Sequence, residues 1–141
     1  MKKQLFSFVG VLGLLMVAES ALAQHINVRA NIPFKFSLNQ DTLPAGQYEI
    51  QALNSAGGHV LVIKNRETKV ARMFLTNSVS SSPAYPSKSR LVFKRYGDQY
   101  FLAQIWVDDN ETGCELPTTA RETELARGYA PAKVVVMAEL R

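Results

Sequence analysis

The stretch "RLVFKRYGDQYFLAQIW", residues 90–106, decides how this chain folds. It interleaves five aromatic residues with three basic ones. Gly97-Asp98 lies between two runs of β-forming residues. A two-residue link with Gly first signals a type II′ hairpin, because the first central position of that turn needs a positive φ. The turn sets a register: Tyr96 opposite Gln99, Arg95 opposite Tyr100, Lys94 opposite Phe101, Phe93 opposite Leu102. Simple alternation then places Leu91, Phe93, Leu102 and Trp106 on one face, with Arg95 and Tyr100 near the turn. The other face carries Val92, Phe101, Ala103, Ile105 and Val107, with Lys94 and Tyr96 near the turn. Both faces are apolar in the body and polar close to the turn. A hairpin buried in its body and wet at its tip is expected.

The flanking segments extend the same period. Ile26, Val28, Ala30, Ile32, Phe34, Phe36 and Leu38 alternate with polar residues, the mark of a strand with one buried face. Pro33 cannot donate to a ladder, so a bend or edge is expected near Asn31-Pro33. Asn39-Gln40-Asp41-Thr42 breaks the pattern, and Leu43-Pro44-Ala45-Gly46 reads as a type I turn. Tyr48, Ile50 and Ala52 alternate with Gln47, Glu49 and Gln51. His59 to Lys64 is nearly continuously apolar, which predicts a strand covered on both faces. Asn65-Arg66-Glu67-Thr68 turns the chain into a strand with Val70 and Phe74 on one face and Met73 and Leu75 on the other. Residues 77–87, "NSVSSSPAYPS", have no period and read as a loop. Thr119-Ala120-Arg121-Glu122 matches a capping box, and Gly128 closes a short surface helix. "KVVVMAEL", residues 133–140, reads as a buried strand that must pair with another to avoid aggregation. The fold class is therefore mostly β: an antiparallel sandwich or small barrel of about seven or eight strands, with one short helix near the C-terminus.

The N-terminus reads as an export signal. Met1-Lys2-Lys3 is basic, residues 5–18 are largely apolar, and Ala21-Leu22-Ala23 fits a cleavage site. Residues 1–23 are the expected cleavable signal, and residues 24–141 form a single β domain that does not span the membrane after cleavage. Cys114 is the only cysteine, so no intrachain disulfide forms. The net charge of +4 is dispersed, which serves solubility and argues against nucleic acid as a partner.

Reactive constellations are weak. With two histidines, His25 and His59, and one cysteine, a zinc site lacks ligands. A Cys114–His59 nucleophile pair would sit beside an acidic turn that raises the thiol pKa. Laid on a calcium loop from Asp108, Asn110, Thr112 and Gly113 fall at suitable positions, but the twelfth, where a bidentate Glu belongs, is Thr119. Asp98, Asp108, Asp109 and Glu111 could supply paired carboxylates, yet all lie in or beside predicted turns, where acids are solvated. No metal, cofactor or catalytic residue is expected.

Four motifs carry a resemblance: Ile32-Pro33-Phe34-Lys35-Phe36; Leu43-Pro44-Ala45-Gly46-Gln47-Tyr48; Tyr96-Gly97-Asp98-Gln99-Tyr100-Phe101-Leu102-Ala103; and Glu115-Leu116-Pro117 followed by the helix. Over most of the chain after the signal it resembles a family of small exported bacterial proteins of uncharacterised function. The resemblance implies export and a shared β fold, and no chemistry. The expected function is an exported, non-enzymatic envelope or secreted module for interaction or structure, periplasmic or extracellular. Its partner is an envelope protein or a glycan. The expected contact surface is Arg95, Tyr96 and Tyr100 at the hairpin tip, with Tyr85 from the serine-rich loop. The alternatives are a carbohydrate-binding domain using exposed aromatics and a hydrolase using acids near Asp108.

Overall fold

The computed structural model describes residues 26–53, 59–80, 88–108 and 112–140. The signal segment, His25, Tyr85, Asp109, Asn110 and Glu111 lie outside the described residues. The strands are β1 (Asn27–Ile32), β2 (Phe36–Leu38), β3 (Asp41–Leu43), β4 (Gly46–Ala52), β5 (Val60–Asn65), β6 (Ala71–Leu75), β7 (Asn77–Ser80), β8 (Arg90–Tyr96), β9 (Gln99–Trp106), β10 (Thr112–Glu115) and β11 (Ala132–Leu140). Helix α1 (Ala120–Gly128) precedes β11. The sheet order is β3-β2-β9-β8-β11-β1-β4-β5-β6, with β10 paired to both β9 and β7. The pairings are antiparallel except for a parallel contact between β2 and β9. The sheet curls into a half-barrel. Its two ends, β3 and β6, are bridged by Arg72 Nε and Asp41 Oδ2 at 3.2 Å. That pair is about half exposed on each side, so it adds at most about 1 kcal/mol and does not close the barrel.

Eleven described strands replace the expected seven or eight. The difference lies in short segments that look like loops. Asp41–Leu43 returns beside Phe36–Leu38 through a tight turn in which Asn39 takes a φ of 54°, a left-handed conformation that Asn tolerates better than most residues. Asn77–Ser80, read as loop, pairs with Thr112–Glu115. Neither segment has apolar alternation, because both pair at the margin of the sheet. The break at Pro33 is where expected, between β1 and β2.

The hairpin forms with the expected register around Gly97, whose φ is 61°. It departs from simple alternation at one point. A bulge leaves Ala103 without a register partner on β8, so Val92 faces Gln104, Leu91 faces Ile105 and Arg90 faces Trp106. One extra residue reverses the side-chain parity of everything beyond it. Ile105 therefore joins Leu91, Phe93 and Leu102 in the core, and Trp106 leaves it for the outer face.

Inside the half-barrel, Val28, Ile32, Phe36, Tyr48, Ile50, Leu61, Ile63, Phe74 and Phe93 are buried in one cluster. Of its aromatic members, Phe36 and Tyr48 come from two of the four motifs, and Phe74 and Phe93 lie outside them. Phe34 stacks on Tyr100 at 3.9 Å and meets Phe93 edge-on at 4.9 Å. Phe36 meets Phe93 at 5.6 Å and Tyr48 at 5.3 Å. The Tyr48 hydroxyl donates to the Pro44 carbonyl, four residues back. These motifs are held together by packing, each buried ring being worth about 1.5–3 kcal/mol.

Two strands are less covered than their composition suggests. In β5, Leu61 and Ile63 are buried while Val60 and Val62 are half-buried, so one face is only partly covered. Strand β11 pairs on both edges, with β8 and β1. One of its faces is nevertheless open: Val135 is 46% and Met137 55% exposed. A continuous apolar run therefore marks a central strand here, and its outer side chains remain in contact with water.

Candidate functional site

The proposed tip residues do not converge. Arg95 is exposed and stands opposite Tyr100, as the register requires. Tyr100 is half-buried, its ring flat on Phe34. Tyr96 lies on the other face of the hairpin and is only 5% exposed. Helix α1 covers it. Thr119 caps that helix by accepting from the Glu122 N–H at 3.2 Å. Glu122 does not turn back to complete the capping box; its carboxylate accepts the Tyr96 hydroxyl at 3.1 Å and lies 4.0 Å from Lys94 Nζ. Burial pushes the Tyr96 pKa up, and the Glu122 charge and hydrogen bond push it further. At the tip, Arg95 is thus exposed on one face and Tyr96 is buried on the other.

Trp106 is 5% exposed. The Arg90 guanidinium lies 4.9 Å from its ring centroid, and its indole N–H donates to Gln104 Oε1 at 3.1 Å. Tyr96, Tyr100 and Trp106 therefore offer no pair of coplanar exposed rings.

Cys114 is half-buried against the core, on β10. It hydrogen-bonds Thr76, whose N–H in turn donates to the His59 carbonyl at 2.8 Å. The link reaches the His59 backbone carbonyl, and His59 itself is exposed. Burial raises the Cys114 pKa, the direction expected from the sequence by a different cause. A thiol held up in this way is a poor nucleophile at neutral pH. Asp108 is exposed, and its backbone N–H donates to Ser89 Oγ at 2.8 Å.

A different region gathers polar groups: the outer face of β11, β1, β4, β5 and β6. The paired strands bring Arg29 on β1 opposite Glu49 on β4 and Glu139 on β11. Arg66, in the turn after β5, reaches back over β4, its backbone N–H donating to the Gln47 carbonyl at 2.9 Å. Asn65 holds that turn, its side-chain oxygen accepting from the N–H groups of Glu67 and Thr68 at 2.8 and 3.1 Å. Arg29 Nε and Arg66 Nε stand 3.7 and 3.6 Å from the same oxygen, Glu49 Oε1. Beside them lies a cleft of about 260 Å³, bounded by Arg29, Asn31, Gln47, Arg66, Met137 and Glu139.

The far end of this face is apolar. Met73 and Leu75 on β6 are each 64% exposed, and Leu53 is 56% exposed. Strand pairing sets Met73 beside Val62 and Leu75 beside Val60. β6 ends the sheet order. Sequence reasoning placed Phe74 opposite Met73 and Leu75 correctly but attached no function to the second apolar face. The signal was there: a strand with two apolar faces, in a chain that covers only one, leaves the other exposed. No family model, curated protein or solved structure matches this chain.

Proposed function

We propose that the protein is an exported, non-enzymatic interaction module, working in the periplasm or outside the cell, and that it contacts an envelope or secreted protein through the β6 end of its open face. The observation that carries this reading is the exposure of Met73 and Leu75 on the terminal strand of the sheet, with exposed Leu53 just past the end of β4, its N–H donating to the Val60 carbonyl on the strand between. Contiguous exposed apolar surface is unusual on a monomer and marks contact sites. A terminal strand also presents backbone groups to which an extended segment can add. The export signal in the sequence and the resemblance to exported bacterial proteins support the location. Among the described residues no helix is long and apolar enough to cross a membrane.

The glycan reading draws less support, because Tyr96 and Trp106 face inward. The test is capture from an envelope extract by the chain lacking residues 1–23. A Met73→Ser, Leu75→Ser variant should lose the captured protein, and an Arg95→Ala, Tyr100→Ala variant should keep it. The reverse pattern would return the contact surface to the hairpin tip.

A further inference from the structure

The cleft beside Glu49 has a charge arrangement that packing does not explain. Two guanidinium groups and one carboxylate meet on a sheet surface, and neither Nε approaches within hydrogen-bond range of the shared oxygen. Arg29 Nε is buried and has no hydrogen-bond partner among the described residues. Arg66 makes one long contact, Nη1 to Gln47 Oε1 at 3.5 Å. Glu49 is the least exposed member, its side chain 13% accessible against 39% for Arg29 and 42% for Arg66. A sunken carboxylate thus holds two arginines in place by charge, and Arg29 Nε keeps a donor with no acceptor among the described residues. Lys64, the register partner of Glu49 on β5, adds a third positive charge on the same face. Glu139 stands on the far rim, with no ion pair to either arginine among the described residues.

We infer that this cleft binds a small oxyanion, a carboxylate or phosphate group, with Arg29 and Arg66 as its donors, the Asn31 and Gln47 amides beside them, and Glu139 as a rim charge that limits affinity. A guanidinium fork fits carboxylate and phosphate geometry through parallel N–H donors. The volume selects a compact ligand, since about 260 Å³ lies below the roughly 300–1,000 Å³ of sites for drug-sized molecules. Met137 forms one apolar wall, which suits a short carbon chain next to the charged group. The inference does not rest on the protein-contact reading: the β6 variants leave the cleft intact, and the variants below leave Met73 and Leu75 intact.

The experiment is titration of the chain lacking residues 1–23 with inorganic phosphate and, separately, with acetate and butyrate, followed by NMR shifts of the Arg29 and Arg66 side chains and neighbouring amides. Saturable binding in the millimolar range, weakening with added salt, is expected. Preference for phosphate or for a carboxylate distinguishes the two sources of the oxyanion, and butyrate above acetate implicates the Met137 wall. Arg66→Gln should weaken binding about tenfold or more, the loss of one charge-assisted hydrogen bond. Arg95→Gln removes the same charge at the hairpin and should change it less than twofold. Glu139→Gln should tighten binding about threefold, as one like charge leaves a water-exposed rim. Non-saturable shifts, or equal losses in Arg66→Gln and Arg95→Gln, would overturn the inference. Circular dichroism on each variant separates lost binding from lost folding. Arg66 lies in an exposed turn, so its variant keeps the test usable should Arg29→Gln unfold.

Discussion

Replacing Gly113 with alanine tests the packing that holds Trp106 on the outer face. A Cβ at Gly113 would stand 2.6, 2.7 and 2.8 Å from Cε3, Cδ2 and Cζ3 of the indole. Carbon atoms in ordinary contact are about 3.5–4.0 Å apart, so the ring or the β10 backbone must move by roughly 1 Å. The ring has little room. Arg90 covers one side, the indole N–H is bonded to Gln104, and only 5% of the residue is exposed. Overpacking of this kind costs about 1–3 kcal/mol, and a ring fixed on several sides belongs near the upper end. Alanine also restricts the unfolded chain, which offsets about 0.4–1 kcal/mol. Gly113 does not use a positive φ, so no backbone strain is added. The net loss is about 2 kcal/mol, and each kcal/mol lowers Tm by roughly 3–6 °C in a domain of this size. Trp106 is the chain's single tryptophan, so urea unfolding followed by its fluorescence reports both stability and ring environment. In a Trp106→Leu background the glycine substitution should cost less than half as much, because the two residues interact directly. A Gly113→Ala protein as stable as the wild type, with unchanged emission, would refute this account of the Trp106 site.

Three further outcomes follow from local geometry. Tyr96→Phe removes the donor to a carboxylate that is 5% exposed. It should cost about 1–3 kcal/mol in denaturant unfolding, the penalty of an unsatisfied buried acceptor. Burial raises the pKa of both Tyr48 and Tyr96 above the ordinary 10.0. The unfolded tyrosines therefore release their protons first, so stability should be level below about pH 10 and fall as pH rises through the folded values; Tyr96→Phe should flatten part of that slope, measured as urea midpoints between about pH 9 and 11. Lys69 holds a φ of 64° at the end of the β5–β6 turn, where its N–H donates to the Asn65 carbonyl. Lys69→Gly should raise thermal stability by up to about 1 kcal/mol, because left-handed backbone costs a non-glycine residue roughly 1–2 kcal/mol, more than glycine's added unfolded entropy.

Alternation and turn chemistry carried the long elements. Gly97-Asp98 predicted the hairpin and its first four pairs, and Thr119 predicted the helix start, because each rests on a backbone requirement that few residues meet. Strands β3 and β7 were illegible for the opposite reason. Their side chains are mostly solvated, and what holds them is pairing with a neighbour far away in sequence. The bulge at Ala103 shows a different limit. Ala103 fits a strand without bulging, and its role depends on the sheet: β9 must give one edge to β2 in its first half and to β10 in its second. The extra residue realigns the strand between those partners, and with it Ile105 and Trp106 exchange faces.

The same logic explains why aromatic and basic residues interleave at residues 90–106. In a hairpin covered on one side by a half-barrel core and on the other by a helix, both parities are internal, so Phe93 and Phe101 are buried on opposite faces. Rings there report packing, and Arg90 and Lys94 report the need to pair charges at its margin. The open face reads the other way round. Arg29, Glu49 and Gln47 occupy the polar positions of well-behaved alternating strands, where charges are expected to serve only solubility. What separates them from ordinary surface residues is their convergence: antiparallel pairing sets Arg29 beside Glu49, and the Asn65 turn folds Arg66 back onto the same oxygen. That convergence joins residues from two strands and a turn, so it exists only after the sheet has formed. Met73 and Leu75 differ in this respect. Their exposure follows from the strand's two apolar faces and its terminal place in the sheet, the first visible in sequence and the second only in topology.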